Sequence, residues 1–363
     1  MRNFKPLEYY KWLYKVKEKE YTFKAKNIEE WILWRRNFKS KLVELLGGFD
    51  YPKCNLIPET LDVREYDDYL REKVIYQSDE FSTISAYFLL PKNVKRKIPV
   101  IIALHGHGYG KDEITGIWED GSERVKPISK GYQKDFALEL VKRGVAVLVP
   151  DQCGFGERRE EEDIKKGPST SSCWFLSLWA LMFGKTIIGR RVWDVMMSIE
   201  YLKNRKEVDS DAVGVIGISG GGTTALFSAA IDDRIKVAVV SGYLCTFKDS
   251  ILSIRHCIDN YIPGILKYGE MYTVAYLIAP RPLFIEHGTK DKIFPISATK
   301  RAYEKIKAVY EFLKVSERVD CDFFEGVHEI CGRKSYDFLL TWLKSKYWIR
   351  DELYKKSLVN VFE

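Results

Sequence analysis

Along the chain the apolar positions change their spacing twice. Between Asn27 and Gly48, Ile28, Trp31, Ile32, Phe38, Leu42, Leu45 and Leu46 recur at helical intervals, which predicts an amphipathic helix whose apolar stripe packs on another element. Asn27 and Glu30 stand at capping-box spacing, and Gly47-Gly48 is a stop signal. From Leu61 to Pro91 the interval falls to two, as in Ile84-Ser85-Ala86-Tyr87-Phe88-Leu89-Leu90, with the polar Gln77-Ser78-Asp79-Glu80 between two such stretches. That predicts antiparallel strands joined by a hairpin. Beyond Pro91 come short, wholly apolar runs separated by helical stretches: Val100 to Leu104, Val145 to Val149, Val213 to Ile218, Val237 to Val240, Leu283 to Ile285 and Val319 to Phe324.

Continuous Val/Ile/Leu runs alternating with helices are strands covered on both faces, so a mostly parallel sheet between two helical layers is expected. The fold class is a three-layer α/β sandwich with antiparallel strands at its N-terminal side. Residues 1–58 are read as an N-terminal helical extension, 59–348 as the α/β domain and 349–363 as a C-terminal tail. An irregular insertion at about 159–189 falls where lids and substrate pockets are usually built, over the carboxyl edge of the sheet.

The 363 residues are 46% hydrophobic and 30% charged, an ordinary globular balance that excludes a disordered or collagen-like chain. Lys and Arg total 58 against 51 Asp and Glu, and the basic residues are scattered rather than gathered into a stripe, so no nucleic-acid partner is expected. Seven cysteines without a C-x-x-C pair argue against a disulfide framework or a thiolate zinc site and read as reduced thiols. The opening MRNFKPLEYYKWLYK lacks an apolar core of signal-peptide length, and no apolar run approaches a membrane span. The expectation is a cytoplasmic protein with no membrane partner; a homo-oligomer is compatible with this reading.

The sharpest motif is Gly217-Ile218-Ser219-Gly220-Gly221, between the apolar run ending at Ile218 and a small-residue helix from Thr223 to Ile231. A strand-to-helix turn this tight needs glycines around a strained central residue, and it lifts the serine hydroxyl clear of the sheet edge. A serine needs a base to take its proton and a carboxylate to orient that base. Asp291, in His287-Gly288-Thr289-Lys290-Asp291, follows one strand; His328, in Glu325-Gly326-Val327-His328, follows the last. The order Ser, acid, His is that of a nucleophile-elbow hydrolase. Asp151, also at a strand end, competes as the acid, but the chain order disfavours it and its Gly-rich loop reads as a tight turn.

Leu104-His105-Gly106-His107-Gly108 follows the strand at which an oxyanion-hole loop belongs, and the amides of His107 and Gly220 are its expected donors. His105-x-His107 also has the look of a dinuclear metal fragment, but no nearby Asp-His pair completes it, so neither a metal nor any other cofactor is expected. In the insertion, Trp174, Phe175, Trp179 and Phe183 read either as core packing or as a lid over an acyl pocket. Arg190 and Arg191 read as surface ion pairing, and His256 and His287 as structural or pocket residues.

Together these segments resemble the α/β-hydrolase superfamily, and within it the dienelactone-hydrolase-like and acetyl-xylan-esterase-like serine esterases, from roughly Asn27 to Lys346. The residues that carry the resemblance are His105-Gly106-His107-Gly108, the Asp151-Gln152-Cys153-Gly154-Phe155-Gly156-Glu157-Arg158 loop, the elbow, Gly288-Thr289-Lys290-Asp291 and Gly326-Val327-His328. The resemblance implies Ser219 as nucleophile, His328 as base and Asp291 as orienting acid in a cofactor-free serine hydrolase. It implies a small-molecule ester substrate, with short-acyl, acetyl-type esters of carbohydrates as the leading expectation. The alternatives are a prolyl-oligopeptidase-like peptidase, disfavoured because too few residues precede Pro99 for a propeller, and a catalytically silent binding protein, disfavoured because all three triad residues are present.

Overall fold

The computed structural model describes residues 4–52, 54–92, 94–124 and 131–358. Among the described residues nine strands form one sheet: β1 Glu59–Glu65, β2 Tyr69–Asp79, β3 Ser82–Pro91, β4 Ile98–Leu104, β5 Ala146–Pro150, β6 Val208–Ile218, β7 Ile235–Ser241, β8 Leu283–Gly288 and β9 Val319–Phe324. Their spatial order is β1-β2-β3-β5-β4-β6-β7-β8-β9. The first three strands meet their neighbours antiparallel, and every pairing from β5/β4 to β8/β9 is parallel. The hairpin turns at Glu80-Phe81, one step beyond the polar cluster that announced it.

Side-chain alternation explains why the central runs are apolar throughout. Val100, Ile102 and Leu104 of β4, with Ala146 and Leu148 of β5, enter one core, while Ile101 and Ala103, with Val147 and Val149, enter the other. Successive residues of a strand point to opposite faces, so a strand with helices on both sides has no position left for a polar side chain. Helices Ile187–Lys203, Gly220–Ile231 and Ile296–Phe312 cover the first face, and Phe136–Val141 and Ser335–Ser345 the second.

The expected N-terminal helix spans Ile28–Leu45, capped by the Asn27 side chain, which accepts from the Glu30 amide. Glu30 reaches back to the amide of Lys26 rather than that of Asn27, so only half of the expected capping box forms. Trp31, Phe38 and Leu42 enter the first core. Arg35, Lys39 and Arg281 close on Asp233 at 2.6, 2.8 and 3.1 Å. This part of the extension is therefore packed into the α/β body. The preceding helix, Leu7–Val16, buries no residue. The tail contributes a short helix, Glu352–Ser357, with Tyr354 buried, while residues 359–363 lie outside the described residues. No helix among the described residues is long and apolar enough to cross a membrane.

Candidate active site

β6 ends at Ile218 and the helix Gly220–Ile231 starts two residues later, so Ser219 makes the whole turn at φ 56° and ψ −120°. A non-glycine residue adopts positive φ only where its surroundings impose it. The surroundings here are bare backbone: a Cβ on Gly217 would lie 2.2 Å from the Gly221 carbonyl oxygen, and one on Gly221 would lie 2.0 Å from that of Leu104. The Ser219 amide donates to the Ser241 carbonyl at 3.1 Å, tying the elbow to the end of β7.

Asp291 lies in the loop after β8, with Oδ1 accepting from the amides of Ile293 and Phe294 at 2.8 and 3.0 Å. Its Oδ2 meets Nδ1 of His328 at 2.7 Å. Burial pushes the Asp291 carboxyl pKa up, but the hydrogen bond and charge of His328 and the Phe294 amide prevail and hold it below the ordinary value. The His328 ring lies between Tyr132 and Phe294, stacked on both at centroid distances of 5.6 and 5.7 Å. It abuts Gly242, where a Cβ would come within 3.2 Å of Cε1. Gly242 follows Ser241, the residue that fixes the Ser219 backbone, so the imidazole and the elbow share one strand end. Among the described residues Ser219 Oγ and His328 form no hydrogen bond, a contact that commonly tightens only with substrate in place.

The Gly106 amide is taken by Gln133 Oε1 at 2.7 Å. The amides of His107 and Gly220 have no acceptor among the described residues, and Gly220 opens its helix, where a free N–H is geometrically required. The His107 ring lies over Gly220, with Nδ1 3.1 Å from the position of a Cβ there.

Asp151 does not approach His328. It is fully buried and accepts from the Lys111 amide and ammonium and from the Glu157 amide at 2.8, 2.7 and 3.0 Å, which makes it the anchor of its turn. His105 is buried, its Nε2 accepts from the Gln152 amide at 3.1 Å, and burial draws its pKa down to about 4. His287 is buried against the Phe294 carbonyl at 2.7 Å.

Two expectations change. Arg191 is not a surface residue: it is 2% exposed and bonds Asp259 at 2.8 Å and Cys173 Sγ at 3.1 Å. The four aromatics of the insertion lie on or just after the helix Cys173–Met182 and are exposed, and Trp179 and Phe183 line a groove of about 740 Å³ with Tyr51, Phe81 and Arg190. None of Ser219, Asp291 and His328 lines that groove. Core packing therefore does not account for these aromatics. What sequence reasoning missed is a cluster that contains His107, Cys173, Cys257 and Asp259. Its members come from three segments distant in sequence, and only the short Cys257-x-Asp259 spacing could have hinted at it.

A doubly covered, mostly parallel sheet with a strained serine between β6 and a helix, followed by an acid after β8 and a histidine after β9, defines an α/β hydrolase. The chain belongs to the Abhydrolase family, which it matches over residues 10–322, and is a hydrolase. It is 30% identical over 286 residues, 76% of its own length and 88% of the other's, to a Bacillus subtilis (strain 168) protein named Putative hydrolase YtaP. By fold it is similar to a Bacteroides fragilis protein whose crystal structure is named that of a putative acetyl xylan esterase. There the TM-score is 0.74 at 18% identity, covering 93% of this chain and 90% of that one. A glucuronoyl esterase from Solibacter usitatus is similar at TM-score 0.64 and 15% identity, covering 88% of this chain and 93% of the other.

Proposed function

We propose that this protein is a serine carboxylesterase that cleaves short-acyl esters, with acetyl esters of carbohydrates as its substrate class. The observation that carries the reading is the 2.7 Å contact of Asp291 with His328, set at the strand end that also holds the strained Ser219. In this mechanism neutral His328 takes the proton of Ser219 Oγ as the oxygen attacks the ester carbonyl. Asp291, kept ionised, holds Nδ1–H and stabilises the imidazolium. The amides of His107 and Gly220 receive the oxyanion, His328 returns the proton to the departing alcohol, and water then releases the acyl group by the same steps in reverse roles.

The short-acyl preference is supported by the rings that crowd the site, Tyr132 and Phe294 on His328 and Phe155 edge-on to His107 at 5.0 Å. The alcohol side is assigned to the exposed aromatic strip of the insertion, because flat apolar faces beside charged groups such as Arg190 suit a sugar ring. The test is a series of aryl esters of graded acyl length, run beside acetylated xylo-oligosaccharides and a peptide amide. Acetyl and propionyl esters should show higher kcat/KM than octanoyl esters, and the oligosaccharides should be deacetylated. A preference for octanoyl esters would overturn the short-acyl reading, deacetylation confined to aryl acetates the carbohydrate reading, and faster amide than ester cleavage the esterase reading itself.

A further inference from the structure

Beside the proposed oxyanion loop, four side chains from three separate segments converge. His107 follows β4, Cys173 opens the insertion helix, and Cys257 and Asp259 lie in the long segment between β7 and β8. One donor atom from each lies within 4.8 Å of all the others. A tetrahedral ion with sulfur ligands at about 2.3 Å and nitrogen or oxygen ligands at about 2.0–2.2 Å needs ligand-to-ligand separations of roughly 3.3–3.8 Å. No pair is therefore more than about 1–1.5 Å wider than a closed site requires.

The details favour coordination over plain packing. His107 Nε2 is buried without a hydrogen-bond partner, 3.3 Å from Asp259 Oδ2. Asp259 is buried; its Oδ1 accepts from Asn260 Nδ2 at 2.7 Å, and Oδ2, which faces His107, also accepts from Arg191 Nη1 at 2.8 Å. Around these donors stands an outer ring of the kind that orients metal ligands. Arg191 bonds both Asp259 and Cys173, and Asn260 Oδ1 accepts from Thr223 at 3.0 Å. We propose that His107, Cys173, Cys257 and Asp259 form a binding site for one tetrahedral transition-metal ion of the zinc class, which locks the oxyanion loop to the insertion. Two thiolates and an imidazole select zinc over magnesium or calcium, which take oxygen donors.

The ion sits on the side chain of His107 and not at the reacting atoms, so it is a positioning element. Its presence is independent of the esterase reading, and only its effect on the oxyanion amide rests on that reading. The test is metal content by mass spectrometry of protein purified without chelator, then stripped and reloaded with zinc or cobalt. About one zinc per chain and a cobalt spectrum of tetrahedral thiolate type are expected. Cys257→Ser and Asp259→Asn should lose the spectrum and most of the zinc, whereas Cys54→Ser should keep both. Zinc should raise the thermal unfolding midpoint of the wild type and not of Cys257→Ser. Binding of less than about a tenth of an ion per chain after reloading, equal uptake by Cys257→Ser, or a Cys173–Cys257 disulfide in the native protein would overturn the site. Intact metal content in an enzyme without esterase activity would overturn the esterase reading alone.

Discussion

Ser219 is held at positive φ by neighbours that tolerate no Cβ, and its side chain does not support the core. Ser219→Ala should therefore keep the fold and its unfolding midpoint while lowering kcat for an aryl acetate about a thousand-fold or more. Retention of a tenth of wild-type turnover would remove Ser219 from the chemistry. Asp291 and Asp151 are both buried carboxylates at strand ends, but only Asp291 touches His328. Asp291→Asn should cost roughly a hundred-fold or more in kcat with little loss of stability, since the amide leaves the imidazole without its charge. Asp151→Asn should do the reverse: it leaves the buried Lys111 ammonium with the half-exposed Glu157 as its remaining carboxylate partner and so lowers the urea midpoint first. A crippled but stable Asp151→Asn beside a nearly silent Asp291→Asn would exchange their roles. Gly220 offers a finer probe, because a Cβ there meets only the His107 ring, at 3.1 Å, and no backbone. Gly220→Ala should fold and lose kcat, whereas Gly221→Ala, aimed at the Leu104 carbonyl, should destabilise by about 2 kcal/mol or more.

Among the elements, the helix Ile28–Leu45 is joined to the body by apolar contacts and by one buried ionic cluster. Burial alone would raise the Asp233 carboxyl, but Arg35, Lys39 and Arg281 hold it far below its ordinary pKa. A carboxylate depressed in the folded state contributes stability above its unfolded pKa of about 3.9 and loses it as pH falls toward the folded value. Asp233→Asn should therefore cost about 3–5 kcal/mol near pH 7 in denaturant titration, a gap that narrows progressively below about pH 4. A gap that stayed constant with pH would mean that the cluster contributes by shape alone. This helix was legible in the sequence because its stripe has the period of a helix, and the central strands because Val and Ile runs have few other uses. The ionic cluster was not, since nothing local links Arg35 to Asp233 and Arg281. The aromatic insertion was legible only as an alternative: its residues are apolar enough for a core, and only the fold leaves Trp174, Phe175, Trp179 and Phe183 exposed. If the strip holds the alcohol side, Trp179→Ala should raise KM for acetylated xylo-oligosaccharides several-fold and leave kinetics on small aryl acetates unchanged. Equal effects on both would place Trp179 against the acyl group instead.

For the whole molecule, the topology does most of the functional work. Parallel strands deliver their loops to one sheet edge, so Ser219, Asp291 and His328, separated by 72 and 37 positions, are carried to that same edge. The order Ser219, Asp291, His328 was legible because the strands that these residues follow are regular. Cys173, Cys257 and Asp259 escaped because their segments are irregular and meet only in three dimensions. The proposed mechanism requires a single activated serine, and the most direct measurement is labelling of the native protein with a fluorophosphonate followed by peptide mass spectrometry. Modification should go to one residue, Ser219, with esterase activity lost in proportion and labelling abolished in Ser219→Ala. Full activity in protein labelled at Ser219, or a label carried by another residue as activity disappears, would contradict it.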